Sequence, residues 1–334
     1  MTPAEALHQK AILIDGLNIC AWDRAIFEEY RAGGVTAVSC TAAVWENFRD
    51  GMDTIGQWLR WFETFSDLIM PVHSTDDIRA AKARDRTGII LSWQNISPLE
   101  DRLDYVRIFK ALGVGIMQLT YNTQNYAGAG YQESRDSGLT GWGRELIDEM
   151  ASAGVVCDLS HVGDRTTADV IAYSKRPVAF THVLPRGLLD RPRNKPDDLM
   201  LGVAGTGGVV GLSLFAPGMK NGNDSSLADY VEAIDYVVDL VGEDHVAIGT
   251  DFSLGHPRPG PFLEWCNLDK GRARKLTEFG SKPVRKPRGI ERIRDFPNLT
   301  KALLDAGYSR DRIVKIYGGN WLRVLAQIWE GGPA

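Results

Sequence analysis

Two of the chain's six histidines, His161 and His182, directly follow or close consecutive short apolar runs, and Asp251 directly follows a third. Imidazole titrates near neutral pH and binds divalent ions through an unprotonated nitrogen, and a nearby carboxylate can carry a proton. The trio therefore suits metal-assisted hydrolysis or metal-free acid–base chemistry. Two further runs lead to Gln94 and Tyr121. The segment Arg191-Pro192-Arg193-Asn194-Lys195-Pro196 carries three cations. Within it Arg193 is either an anchor that grips a carboxylate through two parallel hydrogen bonds or part of a solvated basic loop. The stretch Tyr121-Asn122-Thr123-Gln124-Asn125-Tyr126 is either a pocket wall or a turn held by its own side chains. His8 and His73 fall in segments that read as surface, and His245 precedes its run at the opposite end. His256 lies beyond Asp251, within reach of it, in what reads as a solvated loop.

The elements that must position these groups are eight short apolar runs: Ala11 to Asp15, Val35 to Thr41, Gly88 to Ser92, Val114 to Thr120, Val155 to Ser160, Pro177 to Thr181, Gly208 to Phe215 and Val246 to Thr250. Helix-like segments alternate with them, among them Ser97 to Leu112, Gly141 to Ala153 and Leu227 to Val241. Ser97-Pro98 reads as a helix start, and Gly113 and Gly154 as left-handed helix ends. Strands without polar alternation belong to a parallel sheet covered on both faces. Eight such units predict a (β/α)₈ (TIM) barrel. A doubly wound sheet is the alternative, but Asp15-Gly16-Leu17-Asn18 carries one glycine where that fold has a glycine-rich loop. In a barrel, reactive groups gather at the C-terminal strand ends, and neighbouring strands lie about 5 Å apart. His161 and His182 are thus expected to meet at one ion or one substrate atom, with Asp251 closing the ring. Residues 1–334 read as one barrel domain, with a long Pro-, Gly- and cation-rich loop at about 255–294 after the eighth strand.

With 38 Lys and Arg against 43 Asp and Glu, the net charge is −5, which argues against a nucleic-acid partner. Four cysteines without a CxxC pair fit a reducing cytoplasm. Met1 to Lys10 lacks an apolar leader, and no run of about 18 apolar residues is present, so no membrane span is expected.

The motifs Gly138-Leu139-Thr140-Gly141-Trp142-Gly143-Arg144-Glu145-Leu146, Asp158-Leu159-Ser160-His161-Val162 and Phe180-Thr181-His182 resemble the membrane (renal-type) dipeptidase family, peptidase M19. Arg193-Asn194-Lys195-Pro196-Asp197-Asp198, Gly249-Thr250-Asp251-Phe252 and the tail Gly318-Gly319-Asn320-Trp321-Leu322-Arg323-Val324 continue the match. The resemblance implies a metal-dependent-hydrolase barrel, cleavage of dipeptides at two zinc ions, and a homodimer. It assigns His161 and His182 to the second zinc, Arg193 to the substrate carboxylate and Asp251 to catalysis. The chain departs from the pattern at the first strand, where the family has Asp-Gly-His-Asn-Asp and this sequence reads Asp15-Gly16-Leu17-Asn18-Ile19. Leucine and isoleucine offer no donor to zinc. Gln94 stands where the family has the bridging glutamate, and Tyr121 where it has a substrate-contacting histidine. The first zinc site is therefore lost.

The expected activity is hydrolysis of an amide or C–N bond in a small carboxylated, amino-acid-derived substrate, with one divalent ion such as zinc at most. Gln94 and Tyr121 join Arg193 as substrate-binding candidates. The alternatives are a metal-free enzyme using His161, His182 and Asp251 as acid–base groups, with Leu17 and Ile19 walling the pocket, or a non-catalytic binding barrel. The end of the sequence, Trp329 to Ala334, has no hydrophobic tail, so no lipid anchor is expected.

Overall fold

The computed structural model describes residues 1–256, 259–267 and 284–331. Its strands, all parallel, are β1 (Ile14–Asn18), β2 (Ala37–Ala43), β3 (Ile69–Pro71), β4 (Thr87–Trp93) and β5 (Val114–Gln118), then β6 (Val156–Asp158), β7 (Ala179–Val183), β8 (Val209–Leu212) and β9 (Val246–Ile248). Their order is β1-β2-β4-β5-β6-β7-β8-β9, with the short β3 attached beside β4. Beyond the strand ends, β9 returns to β1 through a parallel bridge between Asn18 and Phe252 and an Ile19 N–H to Phe252 O bond of 2.9 Å. The sheet is thus a nearly closed eight-stranded barrel.

Helices alternate with the strands. They are α1 (Pro3–Lys10), α2 (Arg24–Ala32), α3 (Phe48–Thr64), α4 (Thr75–Ala83), α5 (Tyr105–Ala111), α6 (Gly141–Ala153) and α7 (Asp164–Tyr173). The chain continues with α8 (Asp197–Gly205), α9 (Leu227–Val241), α10 (Pro259–Cys266), α11 (Phe296–Asp305), α12 (Arg310–Val314) and α13 (Asn320–Trp329). Local chemistry explains the bounds. Thr140 caps α6 through Gly143 N–H, and Gly154 ends it at φ +70. Ser226 and Asp229 cap each other's backbone at the start of α9. The helix expected over Ser97 to Leu112 is broken. Ser97-Pro98 opens only a short 3₁₀ turn, Glu100 adopts φ +53, and α5 begins at Tyr105. The segment expected as one long loop after the last strand contains α10; residues 257–258 and 268–283 of it lie outside the described residues.

Two apolar layers hold the barrel. Outward strand residues pack beneath the helices, as Phe180, Val210 and Ile248 do. Inside, Ile14, Ile90, Ile116, Val156 and Val209 form a floor with Trp321, Val324, Leu325 and Ile328 of α13. Fully burying each such large side chain contributes about 1.5–3 kcal/mol. Trp321 also donates its indole N–H to Ile248 O at 3.1 Å. No helix among the described residues is long and apolar enough to cross a membrane.

One distortion shapes the barrel mouth. The register of β7 against β8 shifts between Phe180 and Val183, and β7 leans into the barrel there. A Cβ at Gly249 would lie 1.7 Å from Thr181 O, one at Gly211 2.2 Å and one at Gly16 2.7 Å. Only glycine permits that approach from three sides.

Candidate functional site

The site is built on a carboxylate beneath it. Asp158, fully buried at the end of β6, accepts the Ser160 hydroxyl at 2.6 Å and backbone N–H at 3.0 Å. It also accepts the Thr181 hydroxyl at 2.6 Å and backbone N–H at 2.9 Å. Burial raises its pKa and these bonds oppose the rise. The hydroxyl proton of Thr181 is committed to Asp158, so Thr181 Oγ1 accepts from His182 Nδ1 at 2.7 Å. On the neighbouring strand end, His161 Nδ1 donates to Asn122 Oδ1 at 2.8 Å. Both Nδ1 atoms therefore carry their protons, and both Nε2 lone pairs face each other at 3.0 Å. Burial, then the charge of Arg193, holds both imidazoles well below the usual range. The Tyr121 ring stacks on His161 with centroids 4.4 Å apart.

Arg193 reaches this pair from the loop between β7 and α8. Its guanidinium donates to Ser160 O at 2.8 Å and His182 O at 3.0 Å, and it lies 5.8 Å from the centre of the Tyr131 ring. The solvated-loop alternative fails, because Arg193 and Lys195 are buried while Arg191 is exposed. Lys195 donates to Val162 O and lies 5.5 Å from the centre of the Phe180 ring; burial pushes its pKa down to about 7.

Asp251 follows β9 in the left-handed region at φ +57. Its N–H donates to Leu17 O at 3.0 Å, and its carbonyl accepts Lys286 Nζ at 2.6 Å. Its carboxylate has no hydrogen-bond partner among the described residues. Burial raises its pKa, and the charges of Lys286 and Arg193 pull it back. Gln94 donates its side-chain amide to Thr41 Oγ1 at 3.0 Å.

One cavity brings together Gln94, Tyr121, Asn122, His161, Arg193 and Asp251, and Ile19 is in its wall. Leu17 is not in that wall, nor is His182, which is fully buried behind His161. Both readings of the Tyr121 to Tyr126 stretch hold, for different residues. Tyr121 and Asn122 line the cavity, whereas Asn125 ties the turn by bonds to Leu119 O and Ala127 N–H. Two histidines depart from expectation. His8 is buried between Thr300 Oγ1 at 2.7 Å and Gly33 O at 2.8 Å. His256 bonds Ile19 O at 2.8 Å and stacks on Phe262 with centroids 3.6 Å apart. Sequence reasoning overlooked Asn122 as the residue that fixes the His161 tautomer, and Lys286. The amide-rich stretch pointed toward the first; nothing local marks the second.

The donor set differs from the zinc centre that the resemblance implies. Leu17 and Ile19 provide no ligand atoms, and Gln94 is neutral. No three His, Cys, Asp or Glu side chains converge as a metal site among the described residues. Catalytic zinc ordinarily takes three protein ligands and a water. The residues present do not fit a two-zinc centre, and two imidazoles fall one donor short of a single catalytic zinc.

Residues 1–264 match the model of the family described as membrane dipeptidase, peptidase family M19. The chain is similar to dipeptidase aclJ of Aspergillus oryzae, 30% identical over 291 residues, covering 85% of this chain and 62% of the relative. It is similar to dipeptidase tcpJ of Claviceps purpurea at 26% identity, covering 84% of this chain and 60% of the relative. The chain thus spans about six tenths of the length of these two fungal relatives. Among solved structures it resembles an amidohydrolase from Pseudomonas aeruginosa, 48% identical with a TM-score of 0.95, covering 98% of this chain and 100% of the other.

Proposed function

Because the chain belongs to the membrane dipeptidase family, we propose that it hydrolyses the amide or other C–N bond of a small carboxylated, amino-acid-derived molecule. The observation that carries this reading is one cavity shared by Arg193 and an Asp251 carboxylate that no described side chain occupies. Arg193 spends two N–H groups on strand-end carbonyls, which fix its plane, and keeps the rest for a substrate carboxylate. Asp251, its pKa raised by burial, takes a proton from water as the oxygen attacks the carbonyl carbon. As the C–N bond breaks, Asp251 returns that proton to the departing nitrogen. Tyr121 and Gln94 contact the substrate from the same cavity. The test is a panel of dipeptides, including ones with a C-terminal D-residue, and N-acyl amino acids, assayed with wild type and Asp251→Asn. The variant should lose about 10²–10⁴-fold in kcat with its melting temperature retained. Unchanged rates in the variant, or no turnover by wild type across the panel, overturn the proposal.

A second reading places one divalent ion between His161 and His182. It is favoured by the converging lone pairs at 3.0 Å, which repel unless a cation lies between them. Metal content of purified protein, followed by chelation and add-back, tests it; full activity in metal-free protein ends it. The homodimer implied by the resemblance and the cytoplasmic location suggested by cysteine usage belong to this proposal too. Light scattering of the purified chain checks the former.

A further inference from the structure

The cavity wall is divided by strand. Going round the barrel, β4 to β7 and their loops contribute Gln94, Tyr121, Asn122, Tyr131, His161 and Arg193, each of which carries a polar or charged group. The other arc, from the segments after β8, β9 and β1, contributes Phe215, Ile19, Phe262, Leu263 and Val284, together with Asp251, Ser253, Cys266 and Asn267. Phe262 and Leu263 belong to α10, which is pinned to the barrel at both flanks. Trp45 donates to Trp265 O at 3.1 Å, Asn122 to Cys266 O at 3.4 Å, and His256 stacks on Phe262. Ile19, which lines the cavity, stands where the family resemblance has an aspartate.

From this division we infer that the substrate carries a bulky apolar side chain, leucine- or phenylalanine-like, lodged against Ile19, Phe215, Phe262 and Leu263 while its carboxylate meets Arg193. The inference rests on Arg193 being the anchor of the proposed hydrolase. An apolar side chain leaves water on entering that arc, whereas a hydrogen or a charged chain gains nothing there or loses hydration. Full burial of such a side chain corresponds to about 10- to 100-fold in binding or kcat/KM.

The experiment compares substrates that differ only in that side chain: glycine, alanine, leucine, phenylalanine and glutamate members of one N-acyl or dipeptide series. Binding of N-acetyl-glycine and N-acetyl-leucine is measured by calorimetry alongside turnover. Leucine or phenylalanine should exceed glycine by about 10- to 100-fold, and Phe262→Ala should shrink that ratio while Phe262→Leu largely keeps it. Using ratios within each variant removes any difference in folded fraction. Turnover with a flat ratio, or with glutamate preferred, overturns the inference and leaves the hydrolase standing. No turnover but tighter binding of N-acetyl-leucine overturns the hydrolase and supports the inference.

Discussion

The two arcs of the barrel mouth are built by opposite means. On the β4–β7 side the histidines and Arg193 are held by hydrogen bonds: Asp158 fixes Thr181, Thr181 fixes His182, Asn122 fixes His161, and two carbonyls fix Arg193. On the β8–β1 side Ile19, Phe215, Phe262, Leu263 and Val284 share the wall with Asp251, Ser253, Cys266 and Asn267, and the anchoring of α10 helps hold it. The retained motif residues His161, His182 and Arg193 sit on the first side and Asp251 on the second, and the departures are also shared, with Gln94 and Tyr121 on the first side and Leu17 and Ile19 on the second. A hydrogen-bonded constellation fails as a unit when one member is exchanged, because buried partners are left unsatisfied. A packed wall admits exchange of volume for volume. The exchanges inside the polar arc are accordingly ones that find partners, for Gln94 bonds Thr41 Oγ1 and Tyr121 stacks on His161.

The most severe way to break this arrangement is Gly249→Ala, which strikes both arcs. Its Cβ would fall 1.7 Å from Thr181 O, so β7 cannot lean inward and His182 cannot reach His161. A loss above about 4 kcal/mol is expected in urea unfolding. Gly205→Ala, whose Cβ meets nothing within 4 Å, is the matched control and should be neutral or slightly stabilising. Next in size is Arg193→Met, which addresses the polar arc alone. Loss of charged hydrogen bonds to a carboxylate should lower kcat/KM by about 10- to 100-fold, mostly through KM. The pH profile sharpens this test. Arg193 holds down the pKa of Asp251, so removing it should move the acid limb of kcat/KM to higher pH, with activity falling as pH drops through that limb. An unmoved limb would separate Asp251 from Arg193.

The smallest effect is expected for Lys195→Met. Burial pushes the folded-state pKa of Lys195 down to about 7 from an ordinary 10.5. Between those values the unfolded chain binds more protons, so wild-type stability gains from Lys195 as pH rises through that window. Below pH 7 the full cost of a buried charge applies. The variant should therefore be more stable than wild type by about 1–2 kcal/mol at pH 6, with the gap closing toward pH 10. Urea midpoints at the two pH values decide it, and a pH-independent gap would mean that Lys195 titrates alike in the folded and unfolded chain, so that burial leaves its pKa unshifted.

The barrel was readable because its strands are uninterrupted apolar runs, and all eight runs correspond to strands. The first is displaced: Ala11 to Asp15 was expected and Ile14–Asn18 is observed. Polar Asp15 and Asn18 hide it, since they are satisfied by each other and by Thr250 rather than by water. Ile69–Pro71 went unread because three residues show no period. In the site, His161, Arg193 and Asp251 stood out as strand-end or loop groups, and the structure places all three in one cavity. The polarity of each arc was not legible. It depends on which loops face one another across the barrel, and Phe215, Phe262 and Val284 are far from Ile19 in sequence.

The floor of the barrel has a consequence for synthesis. Ile14, Ile90, Val156 and Val209 find their inner partners in Trp321, Val324, Leu325 and Ile328, contributed by α13. A nascent chain that has not yet emerged past Ile328 thus exposes an unplugged greasy well at one end, even with every strand already made. Chaperone capture should track that window during translation, and fragments stopping before Asn320 should aggregate rather than accumulate as smaller barrels.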